Sequence, residues 1–286
     1  MKIIRYPDGS SYVKLEEPIS KEIIFRLNTY EDLWHLNQIV DVYNYNNIVP
    51  TITIPNLIDA QADRRFNDNE SSGLKLVCKF LNNLNANFKI FHPHNPEAVE
   101  ALMDNVKIIE NHSFIKEVLS EIYCDNNSIL RDLGLFYHTK SELYDNLILF
   151  SSDSGGFKPL MKLCDKINWK GETFSASKSR KYENGETKLI QQVNREDFGG
   201  KDILIIDDIC VYGKTFKGLY KLLKERNCGK LYLAVSHLTI EHHPQDSVFE
   251  YFDKVFCTNS KYDEYTAENE LREMLIPQNL EIIKLF

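Results

Sequence analysis

Five short apolar runs stand out from a polar background: Ile48 to Ile54, Phe88 to Phe91, Leu147 to Phe150, Ile203 to Ile206 and Leu231 to Val235. Three of them, Leu147 to Phe150, Ile203 to Ile206 and Leu231 to Val235, lack polar alternation, and short runs of this kind look like buried strands of a parallel sheet. Segments with helical spacing follow them. Leu74, Val77, Cys78 and Leu81 make one face of a helix predicted over Leu74 to Leu84, and Leu219, Leu222 and Leu223 do the same over Phe216 to Arg226. Strand and helix in alternation predict an α/β fold with crossover helices and mostly parallel sheets. A chain of 286 residues has room for two such domains. A break near His138 to Ser141, just ahead of the Leu147 run, sets the expected domains at 1–140 and 141–286.

One stretch does not fit the alternation. From Ser175 to Glu196 apolar periodicity is almost absent, and Lys178, Arg180, Lys181 and Lys188 are crowded into it. A long insert of this kind inside a compact domain is expected to be a structureless functional loop or lid, here 175–196.

Composition narrows the function classes. A net charge of -8 leaves no basic stripe to displace counterions from a nucleic-acid backbone, so any phosphate is bound locally. The six cysteines are scattered, with no CxxC pair and no zinc-ligand spacing, and read as reduced thiols. Pro7, Asp8 and Gly9 interrupt the N-terminus before a signal segment could form, and no stretch approaches the roughly 20 apolar residues of a membrane helix. A soluble, cytoplasmic protein with small-molecule partners is expected, with neither nucleic acid nor membrane among them.

The densest chemical signal runs from Lys201 to Glu225. A hydrophobic strand ends in the acids Asp207 and Asp208, and the short loop Val211-Tyr212-Gly213-Lys214-Thr215 then opens into an amphipathic helix. Open α/β sheets bind ligands at the carboxyl ends of their strands. The loop backbone and the helix N-terminus offer N–H groups to a phosphate. Adjacent acids accept sugar hydroxyls or hold a magnesium ion.

This stretch resembles the phosphoribosyl-diphosphate signature of the type I phosphoribosyltransferase fold, in which the acids bind ribose hydroxyls and the loop cradles the 5-phosphate. Val211 stands where that family usually has an acid or Thr, and Lys214 where it usually has Gly. Motifs along the rest of the chain resemble the ribose-phosphate pyrophosphokinases, from near residue 6 to about residue 260. Tyr6-Pro7-Asp8-Gly9-Ser10-Ser11-Tyr12-Val13 is similar to their opening element, whose loop reaches the adenine of ATP across a subunit boundary, with Ser10 in place of Glu. Ala60-Gln61-Ala62-Asp63-Arg64-Arg65 resembles the Ala-Arg-Gln-Asp-Arg segment that helps bind ATP phosphates, with Gln61 in place of the first Arg. His94, and more weakly His92, after the Phe91 strand end correspond to the histidine that contacts nucleotide phosphates or magnesium. Ser152-Asp153-Ser154-Gly155-Gly156 resembles the diphosphate-loop turn, and Lys178-Ser179-Arg180 the Lys-Arg-Arg of the catalytic flexible loop. Ser236-His237 and Thr258-Asn259-Ser260 match two further strand ends.

The resemblance implies two tandem phosphoribosyltransferase-like domains and a magnesium-dependent transfer of the diphosphate of ATP to a ribose anomeric hydroxyl. Lys178 and Arg180 are then the catalytic cations. Asp8, Ser10, Asp63, Arg64 and His94 contact ATP, Asp153 to Gly156 the diphosphate, and Asp207, Asp208 and Val211 to Thr215 the ribose phosphate. His94, Asp153 and Asp207 are the candidate Mg2+ ligands, and a homo-oligomer is implied. The acceptor stays open between ribose 5-phosphate and the distal ribose of ADP-ribose, which some phage members of the family use in rebuilding NAD. A non-catalytic regulatory subunit and a plain phosphoribosyltransferase are the other readings.

Overall fold

The structure is a computed structural model that describes residues 1–16, 18–126, 140–183, 186–239, 247–261 and 278–286. It divides into two compact units, residues 1–110 and 111–285, with Phe286 grouped with the first.

The first unit opens with an antiparallel hairpin, β1 (Lys2–Arg5) and β2 (Ser11–Lys14). A parallel sheet follows in the order β3 (Glu22–Ile24), β4 (Thr51–Ile54), β5 (Asn87–Phe91) and β6 (Val106–Ile109). Three helices make the crossovers: α1 (Tyr30–Tyr45), α2 (Gly73–Asn82) and α3 (Pro96–Leu102). Thr29 starts α1 through a capping box with Asp32, a reciprocal arrangement that satisfies two backbone donors. One core joins Leu36, Ile39 and Tyr43 of α1 to Ile52 and Ile54 of β4 and to Leu74, Val77 and Leu81 of α2.

The second unit begins with α4 (His112–Asn126) and α5 (Lys140–Asn146), then β7 (Leu147–Ser151), α6 (Phe157–Ile167) and β8 (Thr173–Ser175). A ribbon of β9 (Ser177–Glu183) and β10 (Glu186–Gln192) leads to β11 (Asp202–Cys210), α7 (Lys214–Lys224) and β12 (Leu231–Leu238). A short 3-10 turn (Val248–Glu250), β13 (Lys254–Thr258) and β14 (Leu280–Ile283) complete it. Six parallel strands lie in the order β14-β13-β12-β11-β7-β8. All five residues of β7 and all eight of β12 are buried, which is why both read as continuous apolar runs. Alternate residues serve opposite layers. Ile148, Ile203, Ile205 and Leu233 pack with Phe216, Leu219 and Leu223 of α7, while Leu149, Leu204 and Phe256 pack with α4 and α6.

Two expectations need correction. The units divide after Glu110 and not near residue 140, because Phe114, Ile115, Val118 and Ile122 of α4 belong to the core of the second sheet; residues 127–139, where the break was placed, lie outside the described ones. The stretch 175–196 is also not structureless, since most of it forms the antiparallel ribbon β9–β10. A two-stranded ribbon satisfies its backbone groups across the ladder and needs no apolar face along its length, so periodicity gives no sign of it.

Candidate functional site

In the second sheet β7 feeds β8 on one side, while the chain returns to β11 on the other. That reversal of strand order makes the carboxyl ends of β7 and β11 a topological switch point, the place where open α/β sheets bind ligands. Ser151 pairs in register with Ile206, so the turn 152–156 and the acids Asp207 and Asp208 emerge side by side.

Their side chains join there. Buried Ser152 donates its hydroxyl to Asp207 Oδ2, and Asp207 Oδ1 accepts from the Asp208 backbone N–H at 2.8 Å. Burial first, and then the neighbouring Asp208 carboxylate, push the Asp207 carboxyl up to about 8. Two acids crowded in a low-dielectric pocket fit a divalent cation, which removes the repulsion between them. Magnesium suits such a pair, since it commonly takes one or two carboxylates and fills its shell from water and substrate phosphates. Among the described residues no group of three or more His, Cys, Asp or Glu side chains stands together as a cation cage.

The turn after β7 is shaped from within. Asp153 Oδ1 accepts from Gly156 N–H at 3.0 Å, and Ser151 Oγ donates to Asp153 O at 2.8 Å. A Cβ at Gly156 would lie 2.5 Å from Ser151 Oγ, so a larger residue there would have to displace that hydroxyl. Asp153 thus spends one oxygen on the turn itself. Gly156 caps α6, whose first turn carries no acid.

The second loop has the same build. Gly213, at φ 70, caps α7, and the first turn of α7 also carries no acid but begins with Lys214. A basic residue there opposes the helix dipole, an arrangement that suits a bound anion. Tyr212 and Lys214 are exposed, Gly213 is buried, and Val211 and Thr215 are half-buried. Two helix N-termini therefore stand at the ends of two adjacent strands. Lys178 and Arg180 fall in β9, opposite Gln191 and Leu189 of β10; their side chains lie outside the described residues. Ser236, His237, Thr258 and Ser260 form a buried network, with His237 Nδ1 2.9 Å from Ser260 Oγ and Thr258 Oγ1 donating to Ser236 O at 2.7 Å, while buried Asn259 accepts from Leu285 N–H at 2.9 Å. These strand ends brace the sheet edge.

The first unit holds the other candidates in two places. Asn95 donates to Asp63 Oδ2 at 2.8 Å while its own oxygen caps α3 at Ala98 N–H, so the Asp63 and His94 segments are tied together. A cavity of about 300 Å³ opens beside them, lined by Gln61, Asp63, Arg64, Phe66 and Ser71. Arg64 and His94 are exposed. Asp8 and Ser10 instead form the β1–β2 turn, where two hydrogen bonds from Ser10 hold the exposed Asp8 carboxyl below its ordinary value. That hairpin packs on α1 through Val13 and through hydrogen bonds of Ser11 to His35 and of Val13 N–H to Gln38.

A model of the phosphoribosyl transferase domain matches residues 125–271, half of the chain, and that span holds both loops and the switch point. The chain belongs to the phosphoribosyl transferase domain family. Its likeness to curated proteins extends beyond the domain. Ribose-phosphate pyrophosphokinase of Saccharolobus solfataricus is 24% identical over 242 residues, which cover 82% of this chain and 75% of that protein. The protein of the same name from Thermoplasma volcanium is 21% identical over 274 residues, covering 93% and 86%. Among solved structures, phosphoribosylpyrophosphate synthetase from Mycobacterium smegmatis covers 99% of this chain and is itself covered to 85%, at a TM-score of 0.71 and 15% identity. That likeness shows the fold of both units.

Asn95 was not among the site residues expected from sequence, and Ser152 stood in the expected diphosphate turn without a role of its own. Asn95 does carry a signal, since Asn followed by Pro at the first helical position is an N-cap pattern. The contact of Ser152 with Asp207 becomes visible only once β7 is known to lie beside β11.

Proposed function

We propose that this protein is an ATP-dependent diphosphokinase acting on ribose 5-phosphate. The observation that carries the reading is the joining of Ser152, Asp207 and Asp208 between two acid-free helix N-termini at the switch point. Likeness to ribose-phosphate pyrophosphokinases over both units, in place of the second alone, favours it over a plain phosphoribosyltransferase. The anomeric oxygen attacks the β-phosphorus, the bond from that phosphorus to the oxygen bridging it to the α-phosphorus breaks, and AMP leaves with that oxygen. The hydroxyl proton passes to water.

In this reading the 211–215 loop and the α7 N-terminus hold the 5-phosphate, and Asp207 and Asp208 orient the ribose hydroxyls. Ser152 fixes the Asp207 carboxyl. Lys178 and Arg180 stabilise charge on the transferring group, Arg180 with bidentate geometry. Asp63, Arg64 and His94 take the ATP phosphates, and the Asp8–Ser10 turn its base. Magnesium, held by Asp207 with Asp208, would neutralise diphosphate charge. The exposed Tyr212 and Lys214 support a second acceptor, the distal ribose of ADP-ribose, because both leave the far side of the phosphate loop open to an attached group. A cytoplasmic homo-oligomer completes the proposal. The test is incubation with ATP, Mg2+ and either ribose 5-phosphate or ADP-ribose, with products identified by mass. Absence of AMP with both acceptors sinks the reading.

A further inference from the structure

Gln191, in β10, reaches out of the ribbon to the helix that carries the phosphate loop. Its Nε2 donates to the Thr215 carbonyl at 3.2 Å. Its Oε1 rests against Gly218, so close that a Cβ on that residue would overlap it. Thr215 and Gly218 lie in the first turns of α7. Glycine inside a helix is unfavourable relative to alanine, and here the missing side chain makes the room the amide occupies.

The register adds the consequence. Gln191 pairs with Lys178, and Leu189 with Arg180. Opposed residues of an antiparallel pair share a face, as do residues two apart on one strand, so positions 178, 180, 189 and 191 occupy one face of the ribbon. Gln191 uses that face to grip α7. We propose that Gln191 is a positioning residue that latches the β9–β10 ribbon onto α7 and so sets Lys178 and Arg180 in register with the phosphate loop. The contact stands by itself; its effect on turnover rests on the diphosphokinase reading.

Gly218→Ala tests this without removing any functional group. The new methyl displaces only the far end of a flexible side chain, and alanine suits the helix, so the melting temperature should hold or rise. The turnover number with ATP, Mg2+ and ribose 5-phosphate should nevertheless fall about tenfold, because misplacement by fractions of an ångström is costly to an aligned reaction. Gln191→Ala should lose a similar factor. The double variant should be no slower than Gln191→Ala alone, since the methyl then enters vacated space; coupling of this kind marks a shared contact. Hydrogen exchange on the full chain should quicken in residues 177–192 in each single variant. Wild-type turnover and exchange in Gly218→Ala, or additive losses in the double variant, would overturn the latch. If the wild-type protein forms no AMP, the functional reading falls and exchange alone decides: an unchanged ribbon in both variants overturns the latch.

Discussion

Gly213→Ala puts the phosphate loop to a quantitative test. Gly213 sits at φ 70, and a Cβ built on it would lie 2.9 Å from Val248 Cβ and 3.3 Å from its Cγ2. The left-handed backbone alone costs an L-residue about 1–2 kcal/mol. Forcing the methyl against Val248, a buried residue of the 3-10 turn, adds an overpacking cost of about 1–3 kcal/mol. Gly199 provides the control, because it has φ 63 but nothing within 4 Å of its Cβ position. Gly199→Ala should therefore show the backbone cost alone. Trp169, buried in the second unit, reports unfolding there by fluorescence, whereas the only other tryptophan, Trp34, is 55% exposed in the first. At a slope of about 2 kcal/mol per molar urea, the midpoint should move down roughly 0.5–1 M for Gly199→Ala and about 1–2.5 M for Gly213→Ala. A weaker Michaelis constant for ribose 5-phosphate should accompany the second change only. Equal midpoint shifts in the two variants would refute the claim that Val248 closes the space around the loop.

Three further outcomes follow from the site. Lys178→Ala and Arg180→Ala should each lower turnover about a hundredfold or more with ATP affinity held within about tenfold, since charge stabilisation is needed mainly in the transition state; near-normal turnover would remove both from the mechanism. Asp207→Asn should abolish activity yet raise stability in the absence of divalent cations. The folded-state value of Asp207 is raised to about 8 from 3.8, so wild-type stability declines as pH rises through that window, and the variant should gain over it by up to about 5 kcal/mol above pH 8 and little below pH 4. Melting curves in EDTA at pH 4.5 and 8.5 check the sign, and a gain that is larger at pH 4.5 would contradict the assignment. Lys214→Gly should shift the ratio of catalytic efficiencies from ADP-ribose toward ribose 5-phosphate about tenfold, or roughly 1.4 kcal/mol, as competition between the two acceptors would show; an unchanged ratio would remove Lys214 from acceptor choice.

Much of this fold was legible because the central strands are buried on both faces. Leu147 to Phe150, Ile203 to Ile206 and Leu231 to Val235 each fall within an observed strand, and both predicted helices appear within two residues at either end. Neighbouring layers demand apolar residues at every position of such strands, so the signal is dense. Several of the strands missed lack that demand, although the interior strand β13, with four of its five residues buried, was missed as well. The β1–β2 hairpin exposes most of its residues, and β6 and β14 lie at sheet edges with only partial burial. The boundary was misplaced for a related reason: the apolar stripe of α4 shows that the helix packs on a sheet, but not on which one.

The site divides along the same line. Asp207, Asp208, Gly213 and Gly156 could be found from local order, because a strand, a polar turn and a helix in succession have one common geometry at the carboxyl edge. The contacts of Ser152 and Gln191 could not, because each acts on a residue far away in sequence, Asp207 in one case and Thr215 in the other. Their partners are fixed by strand order and by where the ribbon lies, which are properties of the assembled sheet. The reversal between β7 and β11 brings the serine to the acid, and the ribbon between β8 and β11 leaves from the same edge. Burial and the neighbouring Asp208 raise the Asp207 carboxyl, which costs stability that the core of the sheet must offset, as is expected where a charged ligand is to take up the site. Replacing Ser152 by Ala should therefore raise that carboxyl further, since its hydrogen bond is among the influences that lower it.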